Sequence, residues 1–192
     1  MVKLTFTIYN PAFVAADMLS QAEHDKMASA VLVTDSEEFA YAVSEELEKQ
    51  IPMLERAEIA RASIDTYGKI IITNSLEAAV EVANEIAPEH LEICVDEPFW
   101  YLEKVRHAGS VFLGRYCPEA LGDYYAGTNH TLPTSGTAKF SSPLSVDDFV
   151  KKTQYIYYDK EALSEVARDV EYFAAKEGLT AHAKSAVVRF ED

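Results

Sequence analysis

Short apolar runs alternate with longer amphipathic segments along most of the chain. The apolar runs are SAVLVT at 29–34, KIIITN at 69–74, LEICV at 91–95 and SVFLG at 110–114. The segments between them repeat apolar residues every three to four positions, as amphipathic helices do. Wholly apolar strands separated by helices are typical of a parallel sheet with helices on both faces. The pattern therefore predicts a Rossmann-like α/β fold.

The start of the chain has a different pattern. VKLTFTI at residues 2–8 alternates apolar and polar positions, which is typical of a half-buried strand. A polar face would be unusual in the middle of a buried parallel sheet, so we expect this strand at a sheet edge. Asn10 and Pro11 then form a good N-cap and first-turn pair for a helix that continues to about Asp25.

The periodic pattern breaks after Gly114. Residues 115–145 are rich in glycine and proline and show no helical period, which predicts a long and functional loop. A short helix, a strand at QYIYY (154–158) and two further helices should follow, the longer one from about Lys160 to Lys176. We therefore expect an α/β domain over residues 1–140 and a C-terminal helical arm over residues 141–192 that packs against another surface.

Composition and charge narrow the class of protein. The chain has 192 residues, of which 48% are hydrophobic and 26% charged, as in an ordinary globular protein. Its 17 basic and 32 acidic side chains give a net charge of −15, which argues against nucleic acid or an anionic membrane as a partner. Cys94 and Cys117 lack a pairing motif, and we expect both as reduced thiols in the cytoplasm.

The stretch SQAEHDKM at 20–27 gathers polar side chains on a predicted helix. Gln21 and His24 are three residues apart, so they share one helix face and can contact one ligand together. An amide oxygen and an imidazole make half of a metal site. Taken alone, the pair is more typical of a solvated helix face that happens to carry a histidine.

The stretch APEHLE at 87–92 places a carboxylate beside an imidazole between a helix and a strand. Glu89 and His90 could act as a general base and its partner there, because ligand sites of α/β proteins lie at strand ends. The alternative is structural. Pro88 would end the helix, Glu89 would be solvated, and His90 would bind the backbone.

Further polar residues lie in the C-terminal third of the chain. Asp123 follows a glycine in GDYYAGTNH and could be a metal-binding carboxylate on a tight turn, whereas His130 in the same stretch more simply packs within the loop. Glu177 and His182 flank the helix break at Gly178 in AKEGLTAH. By themselves they are ordinary helix-end residues.

Taken together, these motifs resemble the carboxyl-terminal half of the histidinol dehydrogenase family. The matching stretches are MLSQAEHD at 18–25, APEHLE at 87–92, the segment 109–152 and EGLTAHAKSAV at 177–187. They occur in order over nearly the whole chain from about Pro11. The resemblance implies oxidation of L-histidinol through the aldehyde to L-histidine, with two NAD molecules and one zinc ion.

The resemblance also implies roles for particular residues. The zinc ligands would be Gln21, His24, Asp123 and His182. The residues that contact the substrate would be Gln21, His24, His90, Asp123, Glu177 and His182. His90 would take the proton of the hydroxyl group, and Glu89 would activate the water that attacks the aldehyde. In the family the C-terminal arm completes the neighbour's site, so we expect a homodimer with swapped arms.

Family members are considerably longer, and the part that is missing here lies upstream. It includes a GPSE-like turn and the second nucleotide-fold domain that carries the NAD contacts, and no G-x-G-x-x-G motif follows a strand in this sequence. We therefore expect an incomplete Rossmann-like domain in which an NAD site is doubtful. Three alternatives remain open: a dehydrogenase completed by a separate chain, a redox-inactive module that binds zinc and histidinol, and a structural dimeric fragment.

Overall fold

The computed structural model describes residues 2–5 and 10–191, with the backbone alone described for residues 2–5. The chain divides into two compact units, Met1–Phe149 and Val150–Asp192. The first unit is built around a parallel sheet. The second is helical.

The strands of the described residues are β1 (Val2–Thr5), β2 (Val31–Thr34), β3 (Lys69–Ile72), β4 (His90–Cys94) and β5 (Ser110–Leu113). They form one sheet in the order β3-β2-β1-β4-β5, and every neighbouring pair is parallel. The Rossmann-like α/β fold predicted from the apolar runs is confirmed. Each crossover between parallel strands passes through a helix, as this topology requires.

The expected edge position of β1 is wrong. β1 lies at the centre of the sheet, where Val2 is in register with Val31 on one side and with Leu91 on the other. Strand order is decided by pairing across the whole domain, and the alternation within one strand is a weaker determinant. Residues 6–9, which carry much of that alternation, lie outside the described residues, as do the side chains of 2–5.

The helices of the first unit are α1 (Pro11–Ala22), α2 (Glu37–Gln50), α3 (Ala57–Tyr67), α4 (Leu76–Ile86), α5 (Pro98–Leu102) and α6 (Glu119–Tyr124). Their starts follow the capping signals. The side chain of Asn10 accepts a hydrogen bond from the N–H of Ala12 at 3.0 Å, and Ser36 accepts one from Phe39 at 3.1 Å. α1 ends earlier than expected, at Ala22.

Two hydrophobic cores cover opposite faces of the sheet. Leu32 belongs to the core formed with α1, α2 and α3. Its neighbours Val31 and Val33 point the other way and pack with Leu91, Ile93 and α4. Because successive strand residues face opposite sides, a strand buried on both faces favours apolar residues at successive positions, which explains the uninterrupted apolar run of β2.

Three sequence predictions of secondary structure need correction. The predicted loop after Gly114 contains α6, a short helix that begins after Pro118. The predicted strand QYIYY is irregular backbone, with Tyr155 91% exposed, and no strand within the described residues pairs with it. The amphipathic helix expected between LEICV and SVFLG is short and ends at Leu102.

The second unit is a pair of helices, α7 (Lys160–Lys176) and α8 (Thr180–Val187). The side chain of Asp159 caps α7 by accepting a hydrogen bond from Ala162 at 2.8 Å. The two helices pack through small buried residues: Ala167, Ala174, Ala183 and Ala186. No helix in the described part of the chain is long and apolar enough to span a bilayer.

Candidate functional site

The end of α1 holds Gln21 and His24 close together. Gln21 is in the last turn of the helix, and His24 lies in the turn that follows, where its N–H donates to the carbonyl of Gln21 at 3.3 Å. The guanidinium of Arg56 donates to the carbonyl of His24 at 3.1 Å and fixes this turn against α3. Gln21 is partly buried and His24 is exposed, so the two side chains differ in their access to solvent.

Glu89 and His90 lie at the amino end of β4. The chain leaves α4 through Ala87, whose φ is 52°, and His90 is the first residue of the strand. The carbonyl of Glu89 accepts a hydrogen bond from Ser110 at 2.8 Å, which anchors the segment to β5. The amino ends of the strands lie opposite to their carboxyl ends, and nucleotides bind at the carboxyl ends in most open α/β sheets.

A cavity of about 280 Å³ opens beside this segment. Gln21 and Glu89 both line it, together with residues 27–29 and the loop 134–136. Gly109 packs closely against the backbone at Glu89. A Cβ at position 109 would lie 2.6 Å from the carbonyl oxygen of Glu89. A side chain at this position would push the strand start out of place.

Helix α6 brings two further carboxyl groups to the same region. It packs against α1, and Gly122 sits on the ring of Phe112, where a Cβ would lie 2.7 Å from the nearest ring carbon. Asp123 and Glu119 therefore depend on this close approach for their positions. Asp123 is partly buried, and Glu119 is 3% exposed.

His90 is held in a largely apolar environment. Its side chain is 7% exposed, its ring centroid lies 5.9 Å from that of Phe112, and Nδ1 is 3.4 Å from Oε1 of Glu119. Within the described residues neither ring nitrogen makes a hydrogen bond, so His90 lacks the backbone partner that a purely structural role would give it.

The electrostatics of the site shift three pKa values. Burial lowers the pKa of His90 to about 4, and burial raises the pKa of Glu89 above its usual value. The charge of Asp123 raises both of these pKa values and that of His24 lowers them, so the four groups act on one another. Burial, with the charges of nearby carboxylates, raises the pKa of Glu119 to about 7.

The metal ligands that the resemblance implies are divided between the two units. Gln21, His24 and Asp123 belong to the first unit and His182 to the second. Across residues 2–5 and 10–191, no three His, Cys, Asp or Glu side chains form a group that could hold a metal ion. Gln21 nevertheless has a buried Oε1 without a hydrogen-bond partner in the described structure, which is consistent with a ligand atom.

The second unit places its two implied site residues together. Glu177 and His182 line one groove of about 430 Å³ between α7 and α8, along with Val170, Phe173 and Leu179. Glu177 and His182 are both exposed. His130, for which we expected loop packing, is exposed in the first unit.

Comparison with known proteins decides the family. A family model described as histidinol dehydrogenase matches residues 7–190. The chain belongs to the histidinol dehydrogenase family. A histidinol dehydrogenase of Caldanaerobacter subterraneus is 58% identical over 94% of this chain, and one of Syntrophotalea carbinolica is 52% identical over 95%.

The fold agrees with a solved member of the histidinol dehydrogenase family. The crystal structure of histidinol dehydrogenase from Elizabethkingia anophelis superposes with a TM-score of 0.90 over 99% of this chain, at 37% identity. This chain covers 44% of that structure and 42% of the Caldanaerobacter and Syntrophotalea relatives. It therefore spans less than half the length of the proteins it matches.

Two buried carboxyl groups of the site were missed by the sequence analysis. Glu92 is 0% exposed in the middle of β4, and its Oε1 accepts a hydrogen bond from the backbone of Glu119 at 3.1 Å. A glutamate inside the apolar run LEICV was the available signal, because glutamate is rarely buried without a partner. Glu119 had no comparable signal, since its helix was not predicted.

Proposed function

We propose that this chain is the zinc-and-base portion of a histidinol dehydrogenase, an enzyme that oxidises L-histidinol through the aldehyde to L-histidine. The observation that supports the proposal best is the pair formed by Glu89 and His90 at the start of β4. His24 and Asp123 lie close enough to shift the pKa values of both. Groups with perturbed pKa values beside a cavity are typical of catalytic sites.

Zinc suits the donor atoms that this site offers. Gln21, His24, Asp123 and His182 would supply an amide oxygen, a carboxylate and two imidazoles, a set that zinc accepts while leaving positions for a substrate. The buried Oε1 of Gln21, which has no partner in the described part of the chain, supports its role as a ligand. Zinc would orient the substrate's amino and imidazole nitrogens, and NAD would accept the hydrides.

His90 serves as the base of the first oxidation. Because burial lowers its pKa to about 4, the imidazole is unprotonated near neutral pH and can accept a proton. It takes the proton of the hydroxyl group as the carbon-bound hydrogen leaves as hydride, which gives the aldehyde. The apolar contact with Phe112 holds the ring in place.

Glu89 serves as the base of the second oxidation. Its pKa is raised by burial, which makes the carboxylate a stronger base than an exposed glutamate. It takes a proton from water as the oxygen attacks the aldehyde carbon. The resulting hydrate anion loses its carbon-bound hydrogen as the second hydride, and the product is the carboxylic acid.

The remaining site residues lie in the second unit. Glu177 and His182 share a groove and would contact L-histidinol, with His182 also binding zinc. We propose that residues 141–192 form a dimerisation arm that completes the site of the neighbouring chain in a cytoplasmic homodimer. One chain would then contribute three ligands to one site and the fourth to the other.

We propose that the NAD contacts lie in the part of a histidinol dehydrogenase that these residues do not include. This follows from the 42% coverage of the relatives, which leaves most of a histidinol dehydrogenase outside these residues. The second candidate is a redox-inactive module that binds zinc and histidinol. A structural dimeric fragment is the third.

Calorimetric titrations separate these candidates. We expect zinc to bind, L-histidinol to bind only after zinc, and NAD to bind only when the amino-terminal half of a relative is added. Binding of zinc and histidinol with no NAD binding to the assembled halves would favour the module. A folded dimer that binds neither zinc nor histidinol would contradict the proposal and favour the structural fragment.

A further inference from the structure

Glu119 is a buried carboxyl group that the proposed reaction does not use. It is 3% exposed, and its Oε1 lies 3.4 Å from Nδ1 of His90. Its Oε2 has no hydrogen-bond partner among residues 2–5 and 10–191. Burying a carboxyl group with an unsatisfied oxygen costs free energy, so the position of Glu119 beside a proposed base needs a functional explanation.

The distance between Glu119 and His90 is set by rigid neighbours. The backbone N–H of Glu119 donates to Oε1 of Glu92, two residues along β4 from His90. On its other side, α6 rests on Phe112 through Gly122, and Phe112 contacts the His90 ring. Strand and helix therefore fix the carboxyl group against one ring nitrogen, Nδ1.

We propose that Glu119 is a positioning residue that selects the tautomer of His90 and thereby controls whether His90 can act as a base. The inference rests on the proposed function, in which His90 accepts the proton of a hydroxyl group. Because Nδ1 faces Glu119, Nε2 is the nitrogen left for the substrate. A neutral imidazole carries one N–H, so the partner of Nδ1 decides whether Nε2 has a lone pair to offer.

The two states differ by one proton on Glu119. The carboxylate accepts a hydrogen bond from Nδ1–H and leaves Nε2 unprotonated and basic. The carboxylic acid instead donates its O–H to Nδ1, which places the imidazole proton on Nε2 and blocks it. Passing from the second state to the first releases the Glu119 proton to solvent and moves the ring proton from Nε2 to Nδ1.

Burial and the nearby charges place the titration of Glu119 near neutral pH. Burial raises the pKa of Glu119 to about 7, with further increases from Glu92 on β4, Asp123 on α6 and Glu89 before β4. Burial holds the pKa of His90 at about 4, so the ring stays neutral while Glu119 titrates. The 3.4 Å separation is longer than a hydrogen bond, and such contacts often shorten when substrate binds.

The test is an NMR titration of the ¹⁵N-labelled chain over about pH 5 to 9, with the His90 signals assigned by His90→Gln. Protonated and unprotonated ring nitrogens have well-separated shifts. We expect His90 to change from the Nε2–H to the Nδ1–H tautomer with a midpoint of about 7. Glu119→Gln should abolish that change, whereas Glu85→Gln, which removes one exposed carboxylate from α4, should leave it intact.

If Glu119→Gln does not fold, the titration of the unmodified chain still tests the inference. A single His90 tautomer throughout the titration of the unmodified chain would overturn the inference. So would a tautomer change that survives in a folded Glu119→Gln variant.

A binding measurement separates this inference from the proposed function. If zinc and L-histidinol bind but His90 shows no tautomer change, the role of Glu119 is wrong and the proposed function stands. If the tautomer changes but histidinol does not bind, the coupling of Glu119 to His90 stands without the proposed function.

An activity measurement separates positioning from folding. In an active assembly, the rate should fall about tenfold per pH unit below the midpoint, and Glu119→Gln should remove that fall. A uniform loss of rate at every pH would indicate a structural role and contradict the proposal.

Discussion

Replacing Gly122 by alanine tests how α6 is held on the site. A Cβ at this position would lie 2.7 Å from Cε1 and 2.9 Å from Cζ of Phe112, so one of the two elements must move. Overpacking of this kind costs about 1–3 kcal/mol. Alanine is also favoured over glycine within a helix by about 1 kcal/mol, so we expect a net destabilisation of about 0–2 kcal/mol.

A double-mutant cycle with Phe112→Leu isolates the steric part. Leucine lacks the ring atoms that the new Cβ would meet, so in that background Gly122→Ala should be stabilising by about 1 kcal/mol. The coupling free energy between the two changes should therefore be about 1–3 kcal/mol. Urea unfolding followed by circular dichroism measures the four free energies of unfolding.

Gly127 provides the control. Its φ of 80° makes an alanine strained, but a Cβ there would meet no atom within 4 Å. Gly127→Ala should thus destabilise the chain without coupling to Phe112→Leu. A coupling near zero for Gly122→Ala would refute the packing of α6 on Phe112 and with it the placement of Asp123 and Glu119.

Three further predictions concern the metal and the ionisable groups. His24→Ala or His182→Ala should each remove most of the zinc affinity, and an unchanged metal stoichiometry would contradict the ligand assignment. Mixing these two variants should restore part of the zinc binding, because a swapped dimer would contain one intact site; no recovery in confirmed heterodimers would place all ligands on one chain. Stability against pH should depend on two opposing groups. Because the pKa of Glu119 is raised, the folded state keeps a proton that the unfolded state loses. The contribution of Glu119 to the free energy of unfolding therefore falls as pH rises from about 4.5 to about 7. The lowered pKa of His90 makes its contribution rise between about 4 and 6.5. In urea unfolding, the free energy of unfolding of Glu119→Gln should therefore rise more steeply with pH than that of the unmodified chain, by at most about 1.4 kcal/mol per pH unit. The free energy of unfolding of His90→Gln should instead fall with pH. Identical pH profiles would contradict both pKa shifts.

The regular elements of the first unit could be predicted because their patterns are local. β2 is apolar on both faces, and the caps at Asn10 and Ser36 mark helix starts by side-chain hydrogen bonds within three residues. The central place of β1 could not be predicted in this way. It depends on pairing with β2 and β4, which are distant in sequence.

Only part of the site could be predicted, because some of its contacts join residues that are distant in sequence. Gln21 with His24, and Glu89 with His90, are neighbours in sequence, and local motifs singled them out. Glu119 meets His90 through the packing of α6 on Phe112, a contact between segments about thirty residues apart that no local spacing encodes. QYIYY has the composition of a strand, yet no strand in the described part of the chain pairs with it.

The central claim is that this chain carries the zinc and the bases of a histidinol dehydrogenase. Its most direct test is NAD reduction on adding L-histidinol to the zinc-loaded chain assembled with the amino-terminal half of the Caldanaerobacter relative. We expect reduction that requires both halves, that is lost in His90→Gln and that persists in His130→Gln, which removes an exposed imidazole of the same unit. An assembled complex that binds zinc, histidinol and NAD but leaves NAD unreduced would contradict the claim.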